Sequence, residues 1–342
     1  MQAILAVTVP FFALVLCGYL ATRSRLLPEG AIPGLNAYVL FFALPCLLFK
    51  FGASMPFSQL IDPSLMAIYV VCAMVMVFVT ISATLKSADD RFGIDLKNSA
   101  FGALVAAFPN TGFMGVPLLV ALLGPAAAGP VIGTVLIDLV LTSTFCIALA
   151  QSQEEFSPSE SEPSTMRSSA LRSLRGALTN PLPWAIALGA LVAATQLQLP
   201  GPLNQVIKML ADSASPVALF TIGAVLWRAG RGSGSGSGSS SNKGAKTPVV
   251  QYLPVALLKL LVHPLLVLSV GVIANALGAP VSAFGLTVLV LAAALPSASN
   301  VSLLAERYGA DNNRIARIIM ASTVMAFISF SLLAWALGAR PA

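Results

Sequence analysis

From Ala3 to Thr22 the chain runs without one charged side chain, and nine further stretches of similar length and apolarity follow. A helix rising about 1.5 Å per residue needs about 20 apolar residues to cross a hydrocarbon layer of about 30 Å. The runs lie near 3–22, 31–53, 64–86, 98–122, 127–150, 180–198, 202–228, 250–275, 281–305 and 312–338. Charged residues make up 9% of the chain, against roughly 25% in soluble domains. The reading is an all-α integral membrane protein of ten transmembrane helices. The first run lacks a basic leader and reads as a retained helix, not a cleaved signal peptide.

A net charge of +6 in a soluble chain would suggest nucleic acid, but here the placement of the charge excludes that partner. Fifteen of the nineteen Lys and Arg residues fall in the connections after helices 1, 3, 5, 7 and 9; Lys50, Lys208, Lys259 and Arg340 are the others. The positive-inside rule puts those connections in the cytoplasm and both termini outside, in a plasma membrane or a bacterial inner membrane. Residues 151–179 begin with an acidic, Ser/Pro-rich stretch and read as a cytoplasmic linker, while 229–248 hold a Gly/Ser loop with no chemistry of its own.

On either side of the first linker the chain repeats itself. "PFFALVLCG" at 10–18 matches "PLPWAIALG" at 181–189, and the prolines of "LPCLLF" and "SPVALF", Pro45 and Pro216, share the same offset of 171 residues. "AAFPNTGFMGVPLL" in helix 4 matches "AALPSASNVSLL" in helix 9, with Pro109 and Pro296 offset by 187. The intervening Gly/Ser loop supplies the difference. Each half, 1–150 and 180–342, holds five helices. An odd number makes the second half enter the membrane from the opposite side, which gives the inverted repeat common among secondary transporters.

Pro109 and Pro296 fall near the middle of their helices. Proline removes a backbone donor and clashes with the carbonyl four residues back, and polar backbone freed at that depth must be buried in protein or line a cavity. Each break starts a new half-helix, whose positive end attracts anions. Inversion brings the two ends together from opposite sides. The expected binding residues are Pro109, Asn110, Thr111 and Gly112 with Pro296, Ser297, Ser299 and Asn300, donors suited to a carboxylate.

Asp138 and Lys259 each lie about ten residues inside their helices, where a charge is costly and function or pairing is the default reading. His263, one turn from Lys259, has an unperturbed pKa near 6.5 that suits proton exchange. Asp138 is expected as a proton or coupling-ion site, with Lys259 as its partner or as a counter-charge to the substrate. Cys17, Cys46, Cys72 and Cys146 fall one per helix without metal-ligand spacing, so they read as packing thiols, with no metal or cofactor implied. There is no HExxH, P-loop or nucleophile elbow, which leaves no enzymatic reading.

These motifs, together with "LNAYVLFFALPCLLF" at 35–49, "FPNTGFMGVPLLVALLG" at 108–124, "ASPVALFTIGAVL" at 214–226, "KLLVHPLL" at 259–266 and "ALPSASNVSLLAERYG" at 294–309, resemble the auxin efflux carrier family. The resemblance implies crossed broken helices 4 and 9, a scaffold of helices 1, 2, 6 and 7, and a mobile transport domain of helices 3–5 and 8–10. It further implies an elevator-type cycle carrying an organic anion bound at the crossover. Where plant members place Gln after the second proline, this chain has Ser297, which argues for a carboxylate other than auxin. The alternatives are a sodium-coupled symporter of the related bile-acid carrier type and a receptor that binds a small carboxylate without moving it. Coupling to H+ or Na+ stays open, and helices 2 and 7 offer a face for a homodimer.

Overall fold

The computed structural model describes residues 2–54, 62–85, 94–152, 181–230 and 247–339. Nearly all of both low-complexity segments lies outside the described residues, as do Lys86, Arg91, Arg167, Arg172, Arg175, Arg231, Lys243, Lys246 and Arg340. Among the described residues the chain forms helices and two isolated β-bridges, with no strand.

The helical segments are α1 (Gln2–Arg23), α2 (Glu29–Ser54), α3 (Pro63–Thr84), α4 (Leu96–Ala107), α5 (Thr111–Leu123), α6 (Pro125–Gln151), α7 (Pro181–Thr195), α8 (Gly201–Gly230), α9 (Val249–Ala276), α10 (Ala283–Ala293), α11 (Asn300–Arg307) and α12 (Asn312–Ala336). Seven of them, α1, α2, α3, α6, α8, α9 and α12, are long and apolar enough to cross a membrane. Predicted helix 4 is divided into α4 and α5, helix 9 into α10 and α11, and helix 6 is described from Pro181 onward. The chain is a multi-pass membrane protein.

Short polar residues set several helix starts. Asp62 accepts from Ser64 N and Leu65 N at 3.0 and 3.1 Å ahead of Pro63, Ser282 accepts from Gly285 N at 3.0 Å, and Asp311 accepts from Arg314 N at 3.1 Å. Each satisfies donors that the first helical turn leaves unpaired. Inside four helices a single wide π turn replaces the α pattern: Val39–Ala43, Thr111–Gly115, Asp138–Thr142 and Leu258–Val262. Three of these are followed, two residues on, by Pro45, Pro117 and Pro264. The extra residue in the turn relieves the clash that a proline ring makes with a carbonyl one α turn back.

α1 packs on α8, and α2 packs on α7 and α8. Glycines make both close contacts. A Cβ on Gly18 or Gly223 would overlap the carbonyls of Phe220 and Val15, and one on Gly52 or Gly189 those of Ile186 and Phe49. With lipid tails as apolar as leucine, such close backbone approach is a main source of helix association in a membrane. α4 is buried at every residue from Ser99 to Ala107. In α6, 72% of the most apolar stretch is buried against 22% in α1, so α6 is an interior helix while α1 is mostly exposed. α3, α4, α5 and α10 surround α6, and α9 packs on α3, α10 and α12.

Candidate functional site

α4 ends at Ala107, and Phe108 N still donates to Leu104 O at 2.9 Å. Beyond it the two interrupted helices pair directly: Asn110 N donates to Pro296 O at 2.8 Å, and Ala298 N donates to Phe108 O at 3.0 Å. These two bonds set Pro109 antiparallel to Ser297. Backbone groups that the prolines exclude from their own helices are thus satisfied across the crossing, where each would otherwise cost several kcal/mol in an apolar layer, roughly 2–7. Asn110 O accepts from Met114 N and Gly115 N at 3.1 and 3.0 Å, starting α5. Ser297 N donates to Ser322 Oγ at 3.2 Å and ties the crossing to α12.

Of the expected binding residues, Pro109, Asn110, Thr111, Pro296 and Ser297 are buried in this crossing, while Gly112, Ser299 and Asn300 are partly exposed. Thr111 Oγ1 reaches back to Pro109 O at 3.4 Å. Beside the crossing lies a narrow cleft. Ser299, Asn300 and Phe113 line one wall, and Asn36, Val225 and Arg228 from α2 and α8 line the other. Ser299 makes no capping bond to α11, and Asn300 Oδ1 is buried without a partner.

Asp138, Lys259 and His263 are brought together in a separate buried cluster. Tyr69 Oη donates to Asp138 Oδ2 at 2.7 Å and Thr142 Oγ1 to Asp138 Oδ1 at 3.1 Å. Lys259 Nζ donates to Ala293 O at 2.7 Å and lies 3.0 Å from His263 Nδ1. No direct ion pair joins Asp138 to Lys259; the ring of Tyr69, bonded to Asp138, and that of His263, beside Lys259, have centroids 6.0 Å apart. Because Ala293 is the last residue of α10, the ammonium sits at the negative end of a helix, three residues before Pro296. A second narrow cleft is lined by Asp62, Met66, Thr134 and Tyr69. Among the described residues no group of three or more His, Cys, Asp or Glu could hold a metal ion.

Sequence reasoning did not single out Tyr69, Thr142 or Asn36, and it counted Arg228 only as a cytoplasmic charge. Tyr69 and Thr142 carry no charge and sit in apolar runs, so only the fold reveals that they face Asp138. Arg228 had a signal, since it ends a long apolar helix of the half that also supplies Ser299 and Asn300.

A family model for membrane transport proteins matches residues 3–334. The chain belongs to the auxin efflux carrier family. This family member is therefore a membrane transporter and not an enzyme. It is 27% identical over 354 residues to a protein of Rhizobium meliloti (strain 1021) named "Putative malonate transporter", covering 100% of this chain and 99% of that protein. It is 24% identical over 323 residues to the "Uncharacterized transporter YfdV" of Escherichia coli (strain K12), covering 93% and 92%. An "Uncharacterized transporter" of Methanothermobacter thermautotrophicus is 24% identical over 320 residues, with 93% of each chain covered.

Proposed function

We propose that this transporter carries a small carboxylate across a plasma membrane, bound at the crossing of helices 4 and 9, in an elevator-type cycle. The observation that carries the proposal is the paired break. Two half-helices, α5 and α11, begin at one buried point, and their first-turn residues adjoin a cleft. Helix starts of this kind favour anions. The malonate in the name of the Rhizobium meliloti relative supports a carboxylate cargo.

An inverted ten-helix repeat is supported by the glycine contacts. The Gly18 to Phe220 contact becomes Gly189 to Phe49, and Gly223 to Val15 becomes Gly52 to Ile186. Every exchange is a shift of the same 171 residues already read from the prolines, as in 189 − 18 = 171 and 223 − 52 = 171. In this reading α1, α2, α7 and α8 form the scaffold, with both chain ends outside, and the remaining helices move past it. Asp138, Tyr69, Lys259 and His263 form the coupling site, reached through the cleft that begins at Asp62.

The test is charge movement and isotope flux in proteoliposomes with malate, malonate and indole-3-acetate, under a proton or a sodium gradient. Flux of one acid that Asn110→Ala abolishes supports the proposal, and the effective gradient names the coupling ion. Saturable binding without flux, in the presence of either gradient, would replace the carrier with a receptor.

A further inference from the structure

The break at Pro296 frees a carbonyl at the end of α10. Three residues on from Ala293 stands Pro296, which has no N–H, and four residues on the N–H of Ser297 donates to Ser322 Oγ at 3.2 Å. The last amides of the helix turn to other carbonyls, Ala294 N to Val290 O at 3.0 Å and Leu295 N to Ala292 O at 3.2 Å. Ala293 O is taken instead by Lys259 Nζ at 2.7 Å, from the π turn Leu258–Val262 of α9. Both residues are fully buried. The same ammonium lies 3.0 Å from His263 Nδ1; since an ammonium only donates, Nδ1 accepts and the ring proton sits on Nε2.

Pairing with the buried acid does not account for this placement. A charge in an apolar layer is costly, yet the oxygens of Asp138 take Tyr69 and Thr142, and the ammonium goes to a carbonyl at the negative end of α10. That carbonyl lies three residues before Pro296, whose own carbonyl receives Asn110 N at 2.8 Å. Two side chains, Lys259 from α9 and Ser322 from α12, therefore hold the segment on which the crossing is made. We infer that Lys259 is a positioning residue for the crossing: it acts neither on the substrate nor on Asp138 but through the end of α10, and keeps residues 296–298 in register with 108–110. It also joins the buried cluster to the crossing, since the ammonium meets both His263 and Ala293. The consequence for transport rests on the reading of the crossing as the substrate site, whereas the bond itself is tested with no substrate present.

The experiment is amide hydrogen exchange on the purified full chain in detergent, without substrate, for wild type, Lys259→Met, Lys259→Arg and the double variant Lys259→Met with Asp138→Asn. Methionine fills a similar space and donates nothing. In Lys259→Met the amides of residues 108–112 and 296–300 should exchange about tenfold faster or more, while those at the glycine contacts of α1 with α8 keep wild-type rates. Lys259→Arg, which returns a charged donor, should recover part of the protection. The double variant should stay as open as Lys259→Met, because removing the acid returns no bond to Ala293 O. KM for malonate uptake should follow the same order. Unchanged exchange at the crossing in Lys259→Met overturns the inference, and together with a raised KM it makes Lys259 a counter-charge to the substrate. Protection regained in the double variant assigns Lys259 to Asp138 by charge and also overturns it. So does exchange that rises equally in every helix, which would make Lys259 a general element of the fold. Because exchange is read without substrate, a failure of the carboxylate reading is told apart from a failure of this one.

Discussion

Asp138 illustrates how the molecule keeps a carboxylate in an apolar layer. By insertion scales an unpaired acid at helix centre costs about 2.5–3.5 kcal/mol, and here Tyr69 and Thr142 each give one hydrogen bond to an oxygen of the side chain. Bonds to a charged group contribute about 1.5–3 kcal/mol each. Tyr69→Phe removes one donor and keeps the ring against His263. Uptake is expected to fall about tenfold with a changed pH profile, while equilibrium substrate affinity stays within about threefold. A pH profile identical to wild type would take Tyr69 out of the coupling site. Asp138→Asn, which keeps the volume and removes the charge, should abolish the pH dependence that the Tyr69 variant only displaces. Both are read from proteoliposome uptake across a pH series. The depth of Asp138, Lys259 and His263 was legible in the sequence, because a charge in a long apolar run stands out. Their mutual arrangement was not: Lys259 bonds a helix-end carbonyl instead of Asp138, and no spacing rule anticipates a contact between residues 259 and 293.

At the scale of elements, the apolar runs foretold nearly every helix end to within a few residues, since a membrane fixes helix length more tightly than water does. The two prolines located both breaks. The sequence could not indicate that the breaks would use each other's carbonyls, which depends on how half-helices far apart in the chain meet. Nor did it indicate the π turns, although three precede a proline and the fourth starts at Asp138, whose own carbonyl accepts from Ser143 Oγ at 2.7 Å. Wide turns of this kind recur at functional positions. The glycine contacts carry a stability prediction. Gly18→Leu forces a side chain into the α8 backbone and should destabilise the fold by about 1–3 kcal/mol or more, as overpacked interiors do. It should lower the melting temperature in detergent, and Gly189→Leu should do the same at the equivalent contact. Gly34→Ala, where an added methyl meets nothing within 4 Å, is the control and should leave the melting temperature unchanged or slightly raised. Equal melting temperatures for Gly18→Leu and Gly34→Ala would remove the close contacts from the account of stability.

Across the whole molecule, the proposed cycle needs the α2 and α8 wall of the cleft to move against the α5 and α11 wall. Val225 and Leu303 line the cleft from opposite walls. In a background lacking Cys17, Cys46, Cys72 and Cys146, Val225→Cys with Leu303→Cys, bridged by a short thiol-reactive linker, should stop uptake and leave each single variant active. Uptake that survives the bridge would exclude relative movement of these walls. The crossing itself also bears on how the protein is made. Asn110 N and Phe108 O find their partners at Pro296 O and Ala298 N, in a part of the chain synthesised much later. Until the second half enters the bilayer, the first half carries an open polar seam at its centre. A nascent chain stalled before Pro296 is therefore expected to leave those two backbone groups unpaired in an apolar layer.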